Sequence, residues 1–225
     1  MSSMPFDKEN AASYAARPPR QVPGFDSLHR MVSMLLAERA PIDARILVLG
    51  AGGGLELKAL ADAHRGWSFD GIDPSPDMLR LARHTAAGHL ERIRLVEGHV
   101  DSAPDGPYDG ATALLTFHFI PREQRLATLA HIHRRLGPGA AFTLAHISFP
   151  QTEPERSQWI ARHVRYSAAP DASPAQLQQA QEAIGARLTI LAPGEEEDML
   201  RQAGFTDVSL FYAGLGFRGW VAYKP

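Results

Sequence analysis

The sequence predicts a doubly wound α/β fold: a mostly parallel seven-stranded sheet with an antiparallel C-terminal strand and a helical cap. Short apolar runs alternate with amphipathic segments from about residue 42 to 147, which is typical of parallel strands joined by helices. The last two apolar runs are separated only by a turn that contains Gly214 and Gly216. They therefore form a hairpin, which reverses at least one strand relative to the others.

The elements follow in chain order. Residues 1–40 form an N-terminal arm and a helix, Phe25–Leu36, whose apolar residues recur at helical spacing. The main domain spans residues 41–225. Its predicted strands are Ile46–Leu49, Trp67–Ile72, Ile93–Val96, Tyr108–Leu115, Ala140–Ile147, Val208–Tyr212 and Phe217–Tyr223. The predicted helices between them are Leu55–Ala63, Pro76–Ala87, Arg122–Leu136 and Glu195–Ala203.

The regular alternation stops between residues 151 and 191. Residues 153–166 and 174–190 each have a helical pattern, and no strand pattern separates them. They predict a helical cap that is inserted after the fifth strand and covers a cleft at the edge of the sheet.

Composition limits the classes of function. With 225 residues, 44% of them hydrophobic, the chain can bury the core of one large domain. A net charge of −2 argues against a broad cationic surface for nucleic acid. The absence of cysteine excludes disulfides, thiolate metal sites and a cysteine nucleophile. We expect no membrane span and a cytoplasmic location, because no apolar run approaches the ~20 residues that cross a bilayer. We also expect no metal site.

The stretch Arg45–Glu56, RILVLGAGGGLE, predicts a strand, a glycine-rich loop and a helix. Glycine lets the backbone approach a ligand closely, and the helix N-terminus carries a partial positive charge. Gly50, Gly52 and Gly54 give G-x-G-x-G, whereas a dinucleotide-binding loop requires its third glycine at the place of Leu55. The spacing favours a ligand without a pyrophosphate, and a glycine turn without any ligand is the alternative.

Three further positions predict an adenosine site beside this loop. Asp73 ends the second strand, where an acid accepts the hydroxyls of a ribose in such sheets. Pro74 turns the chain into the next helix, where Met78 can lie along an adenine. His99 and Val100, after the third strand, can meet the adenine edge. The alternative for Asp73 is a carboxylate that caps the next helix.

The combination resembles the class I S-adenosylmethionine-dependent methyltransferases. The similarity rests on VLGAGGG, GIDPSPDML, EGHVDSAP, YDGATALLTFHFI, LGPGAAFTLAH and the terminal hairpin. QVPGFDSLHRMVSMLLAER, TFHFIPREQR and AGFTDVSLFYAGLGFRGWVAYK are more similar to the carboxy-S-adenosylmethionine synthase and tRNA uridine-5-oxyacetic acid methyltransferase-like group. That group acts in tRNA wobble-uridine modification and commonly forms homodimers. The resemblance implies S-adenosylmethionine as the cofactor and a relation to a tRNA pathway.

The resemblance also assigns cofactor contacts. They are Gly50, Ala51, Gly52, Gly54, Asp73, Pro74, Met78, His99, Val100, Leu115 and Thr116. The glycines face the amino-acid portion of the cofactor. The residues from Asp73 to Val100 in this list face its adenosine, and Leu115 and Thr116 line the sulfonium. Tyr14 and Arg20 of the arm close over the cofactor, with Arg20 pairing with its carboxylate.

Two departures from the synthase group bear on the donor. In that group an arginine before the last helix pairs with the extra carboxylate of the unusual cofactor, and the nearest candidate here, Arg187, is displaced by several residues. His99 replaces the acid that contacts adenine. We therefore expect ordinary S-adenosylmethionine and a small-molecule acceptor. The alternatives are a carboxy-S-adenosylmethionine synthase and a non-catalytic module that binds S-adenosylmethionine.

Two histidines are candidate catalytic bases. Methyl transfer requires an aligned acceptor, and an oxygen or nitrogen acceptor can also require a base. His118 follows the fourth strand and His146 ends the fifth, so both are predicted at the carboxyl edge. The alternative is a structural histidine packed at a strand end. The run LLTFHF lacks the Asn-Pro-Pro-Tyr pattern of many enzymes that methylate planar nitrogen, which disfavours that acceptor class.

Overall fold

A computed structural model describes residues 17–225. The helices are α1 (Arg17–Gln21), α2 (Phe25–Ala37), α3 (Leu55–Ala63), α4 (Pro76–Thr85), α5 (Arg122–Arg135), α6 (Glu155–Ser167), α7 (Pro174–Arg187) and α8 (Pro193–Gln202). The strands are β1 (Arg45–Leu49), β2 (Ser68–Asp73), β3 (Ile93–Glu97), β4 (Tyr108–Leu114), β5 (Leu136–Ile147), β6 (Thr206–Gly214) and β7 (Phe217–Tyr223). Single 3₁₀ turns cover Ala87–His89, Val100–Ser102 and Phe117–Phe119.

The strands form one seven-stranded sheet in the order β3-β2-β1-β4-β5-β7-β6. The pairs among β1 to β5 are parallel, and β7 pairs antiparallel with both β5 and β6. This confirms the predicted fold class, including the reversed C-terminal strand. The chain leaves β1 toward β2 on one side and returns to β4 on the other, which makes the β1–β4 boundary the switch point of the sheet.

The core lies on both faces of the sheet, and adjacent residues of one strand face opposite sides of it. Val48 packs with α2 residues such as Leu28 on one side, whereas Leu47 packs with Leu129 of α5 on the other. All four side chains are almost fully buried. Strands covered on both faces read as continuous apolar runs, which is why the strand positions could be predicted.

The fifth strand is longer than the predicted Ala140–Ile147. It begins at Leu136, directly after α5, because Leu136 is buried and pairs with Tyr108 at the start of β4. The two helices predicted between residues 151 and 191 are present as α6 and α7. Helix α6 packs beside the ends of β5 and β7: Trp159 stacks on Phe149, just after β5, with ring centroids 6.4 Å apart, and the His163 ring lies 5.4 Å from that of Phe217 in β7.

A buried ion pair joins two distant segments of the chain. Arg125 of α5 and Glu196 of α8 pair with almost no exposure to solvent. The Arg125 guanidinium also donates hydrogen bonds to the carbonyl oxygens of Ile120, at 3.2 Å, and of Thr189. Burial raises the pKa of Glu196 to about 7, although Arg125 lowers it. One side chain thus ties the segment after β4 to the segment after α7 and to α8.

We predict that Arg125→Ala lowers the free energy of unfolding by about 3–5 kcal/mol, because it leaves the Glu196 carboxyl and two carbonyl groups buried without a partner. The matched control is Arg201→Ala, which removes an exposed arginine that pairs with Glu197 and Asp198 and is expected to cost less than about 1 kcal/mol. Urea denaturation measures both changes. Equal losses in the two variants would contradict the prediction.

Candidate active site

A cavity of about 490 Å³ opens at the carboxyl edge of the sheet, where the loops after β1 to β4 meet α2. Its size is typical of small-molecule sites, and it lies at the switch point where ligands bind in such sheets. Most of the predicted cofactor residues line it: Gly50, Ala51, Gly52, Asp73, Pro74, Met78, His99, Val100, Leu115 and Thr116.

The floor of this cavity is a close contact between the loop after β1 and the turn after β4. Gly50 has a φ of 74°, and a Cβ at this position would overlap the Thr116 side chain. The Thr116 hydroxyl donates a hydrogen bond to the Leu114 carbonyl at 3.0 Å, which fixes the side chain against the glycine. Leu115, which lies between Leu114 and Thr116, has a φ of 57°, an uncommon conformation for a residue with a side chain. The two loops can meet only because Gly50 has no Cβ.

Asp73 holds the glycine loop in place. One carboxylate oxygen accepts a hydrogen bond from the Gly52 N–H at 2.9 Å, and the other accepts one from the Ser75 N–H at 2.9 Å. The cap of α4 is Ser75, whose hydroxyl accepts from the Met78 N–H, so Asp73 is not the helix cap. Burial raises the pKa of Asp73 in spite of these bonds. Each oxygen keeps a lone pair for a ligand hydroxyl.

Glu56 is a cavity residue that the sequence analysis did not single out. It lies in the first turn of α3, and its carboxylate accepts a hydrogen bond from the Thr112 hydroxyl at 2.6 Å. Burial raises the pKa of Glu56 to about 8, so the side chain is mainly protonated at neutral pH. A glutamate in the first turn of a helix ordinarily faces solvent, where it complements the helix dipole. Only the position of Thr112 on β4 shows that it turns inward.

Gly54 differs from the other glycines of the loop. It does not line the cavity, and a Cβ on it would lie 2.7 Å from the Cα of Ala82 in α4. The expectation that Gly54 faces the cofactor stays a prediction. This glycine allows α3 and α4 to pack closely at the start of α3.

The two histidines predicted as catalytic bases also lie outside the cavity lining. His146 is fully buried, with Nε2 3.5 Å from a Glu196 carboxylate oxygen, and its ring lies 6.3 Å from that of His118. Burial, then the nearby Arg125, lowers the pKa of His118 to about 3 and lowers that of His146 as well. Side chains alternate along β5, and His146 faces the α5 and α8 side. The prediction that these side chains face an acceptor is wrong.

The histidines that line the cavity come from other elements. His29 of α2 and His99 after β3 line the cavity. The His29 ring packs edge to face on Phe25 at 4.4 Å, and burial lowers the pKa of His29 to about 4. The spacing of four residues puts both rings on one face of α2, a signal visible in the sequence but also typical of a core face.

The remaining predicted residues lie elsewhere. Arg20 is exposed on α1 and does not line the cavity, although Pro18 of the same helix does. Tyr14 lies outside the described residues. Arg187 is exposed at the end of α7. None of the cavity-lining residues found between 17 and 225 comes from 151–191, and the cap over this cleft stays a prediction.

Residues 17–225 contain no group of three or more histidine, aspartate or glutamate side chains placed to ligate a metal ion. Among the helices of the same residues, none has the length and apolar character of a membrane span.

Comparisons with known proteins bear on this site. Residues 47–142 match a family described as a methyltransferase domain. The chain is 28% identical to a carboxy-S-adenosyl-L-methionine synthase of Chromohalobacter salexigens, over 100% of this chain and 84% of that protein. Among solved structures it is similar to an O-methyltransferase family protein from Burkholderia thailandensis, with a TM-score of 0.63, 15% identity, and coverage of 88% of this chain and 55% of that one. It is also similar to the [4+2]-cyclase SpnF, with a TM-score of 0.67, 15% identity, and coverage of 90% and 82%. The chain thus spans little more than half of the Burkholderia protein, and likeness at such identity shows the fold alone.

The fold, the switch-point cavity and the matched domain together support one class of protein, the class I S-adenosylmethionine-dependent methyltransferases, which are enzymes with S-adenosylmethionine as their cofactor. Within that class, carboxy-S-adenosyl-L-methionine synthases of several bacteria are similar to nearly the whole chain. The resemblance drawn from the sequence motifs is therefore confirmed.

We predict that Gly50→Ala raises the dissociation constant of S-adenosylhomocysteine at least about tenfold, because a left-handed alanine costs about 1–2 kcal/mol before the overlap with Thr116 is counted. Gly194→Ala is the control, since a Cβ there meets open space. Isothermal titration calorimetry measures both. Unchanged affinity in the Gly50 variant would argue against a ligand at this loop.

A second prediction follows from the raised pKa of Glu56. Between about pH 4.5 and 8 the folded protein keeps a proton that the unfolded chain releases, so the free energy of unfolding falls as the pH rises. Glu56→Gln has no such proton. Its stability relative to the wild type should therefore increase across this window, by up to about 1.4 kcal/mol per pH unit.

Urea midpoints at pH 5, 6, 7 and 8 measure this effect, with the exposed Glu91→Gln as the control. Parallel curves for Glu56→Gln and the wild type would show that Glu56 ionises normally in the folded state.

Proposed function

We propose that the chain transfers a methyl group from ordinary S-adenosylmethionine to a small-molecule acceptor. The observation that carries the proposal is the lack of a basic side chain in the described wall of the cavity. Its acidic members are Glu56 and Asp73, and the lining residues that the structure describes include no lysine or arginine. Such a wall favours a cationic donor over one that bears an additional carboxylate.

The two donors differ by one charge. The sulfonium and ammonium groups of ordinary S-adenosylmethionine exceed its one carboxylate, so its net charge is positive. The carboxylated donor has a second carboxylate and no net charge. A buried carboxylate requires a paired cation or several hydrogen-bond donors, because an unpaired buried charge is costly. The arginine expected for that role has no counterpart in the described wall, and Arg187 is exposed elsewhere.

The residues present fit the ordinary cofactor. Asp73 offers its carboxylate to the ribose, the loop Gly50–Gly52 offers backbone close to the amino-acid portion, and Met78 and Val100 offer apolar surface to the adenine. When bound, S-adenosylmethionine supplies an electrophilic methyl group. The protein aligns the acceptor and excludes water, which is most of what this reaction requires.

A carboxy-S-adenosylmethionine synthase is the second candidate. It is favoured by the names of the curated relatives, which match 97–100% of the chain at 21–28% identity in the first six comparisons. At this distance the residues that select the donor can differ while the fold is kept. The wall of the cavity is therefore the better guide to the donor.

We predict that protein purified from its expression host releases S-adenosylmethionine or S-adenosylhomocysteine, and no carboxylated sulfonium, when the denatured sample is analysed by mass spectrometry. A carboxylated sulfonium as the main ligand would overturn the proposal and favour the synthase.

Asp73→Asn should weaken S-adenosylhomocysteine binding by about tenfold, since it removes one charged acceptor from the ribose position.

A further inference from the structure

The cavity extends beyond the residues assigned to the cofactor. The adenosine contacts lie after β2 and β3, on one side of the switch point. On the other side the wall is formed by Phe25 and His29 of α2, which packs over β4 and β5, and by Phe119 after β4. A donor whose adenosine lies at Asp73 and whose amino-acid portion lies at Gly50–Gly52 leaves this side open.

We propose that the space between α2 and the turn after β4 is the acceptor site, and that it takes an uncharged aromatic ring with a hydroxyl group, held between Phe25, His29 and Phe119. This inference rests on the proposed function and names the class of its acceptor. It uses none of the contacts assigned to the donor.

The aromatic part of the inference comes from Phe119. This side chain lines the cavity and is still 67% exposed, which is unusual for a phenylalanine in a folded domain. Phe25 is almost buried and faces the same cavity, with its ring edge to face with His29. Ring stacking against such side chains contributes about 0.5–1.5 kcal/mol beyond the burial of area.

The hydroxyl part of the inference comes from His29. Its imidazole lies at the cavity wall, and the described residues give neither ring nitrogen a hydrogen-bond partner. The neutral ring can accept a hydrogen bond from a hydroxyl group. A negatively charged acceptor would instead have no lysine or arginine to pair with in the described wall.

His29 also accounts for the proton. It takes the hydroxyl proton onto a ring nitrogen while one C–S bond breaks and one C–O bond forms, and the electron pair of the broken bond stays on sulfur. The positive charge of the sulfonium is lost as the imidazole gains one, so the net charge in the cavity does not change. The acceptor oxygen becomes more acidic as it is methylated, so a weakly basic imidazole suffices.

The test uses the full chain saturated with S-adenosylhomocysteine and two matched probes. 2-Naphthol is an uncharged hydroxylated ring, and 6-hydroxy-2-naphthoate is the same ring with a carboxylate. We expect 2-naphthol to bind with a dissociation constant at least tenfold lower than that of the anion, as measured by probe fluorescence. Failure of 2-naphthol to bind, or equal binding of the two probes, would overturn the inference.

Substitutions at the proposed acceptor site show where 2-naphthol binds. Phe119→Ala and His29→Gln should each weaken 2-naphthol binding about fivefold while S-adenosylhomocysteine affinity stays within twofold. His29→Gln should also slow S-adenosylhomocysteine formation from S-adenosylmethionine and 2-naphthol at least about a hundredfold. The controls are Leu210→Ala, another exposed apolar residue, and His84→Gln, an exposed histidine. Because Phe119 is exposed, its replacement does not put folding at risk.

The outcomes separate this inference from the proposed function. A chain that does not bind S-adenosylhomocysteine fails the proposed function itself. A chain that binds S-adenosylhomocysteine but responds equally to the Phe119, His29 and control variants fails only the acceptor site.

Discussion

The contact between Gly50 and Thr116 is the constraint on which the candidate site depends. Parallel strands end at one edge of a sheet, and at the switch point the loops after β1 and β4 must pass each other. They can do so because a glycine with positive φ meets the Thr116 side chain directly. Asp73 then fixes the loop from the β2 side through the Gly52 N–H. The position of the glycine loop at the cavity floor follows from these two short-range interactions.

A second set of interactions anchors the segment after β4, which forms part of the cavity rim. Arg125 contacts Glu196 and the carbonyl groups of Ile120 and Thr189, so the segment after β4 is anchored to the C-terminal third of the chain. His118 and His146 belong to this buried layer, where burial keeps both rings neutral. Their positions near strand ends made them resemble catalytic groups, but in the structure they are part of the support.

Burial also sets the charges inside the cavity. Glu56 is mainly protonated and His29 neutral near pH 7, because each would lose hydration on ionising. The wall is therefore close to neutral until a ligand brings its own charge. A cationic ligand near Glu56 would favour the ionised carboxylate, so the site can adjust its charge to the donor without a permanent cation of its own. Such a wall is suited to a reaction in which the positive charge of the sulfonium is lost as another group gains one, so that the net charge in the cavity does not change.

The sequence by itself determined the order and type of the elements, the reversed C-terminal strand and most of the residues of the glycine loop that line the cavity. These follow from local rules: apolar periodicity, the spacing of Gly50 and Gly52, and an acid at the end of β2. Only the tertiary structure decided which way individual side chains face. Gly54 packs on α4, and His29 and Glu56 face the cavity, because each direction depends on a neighbour distant in sequence. The position of α6 and α7 is decided in the same way, since the apolar face of a helix does not specify which surface it will cover.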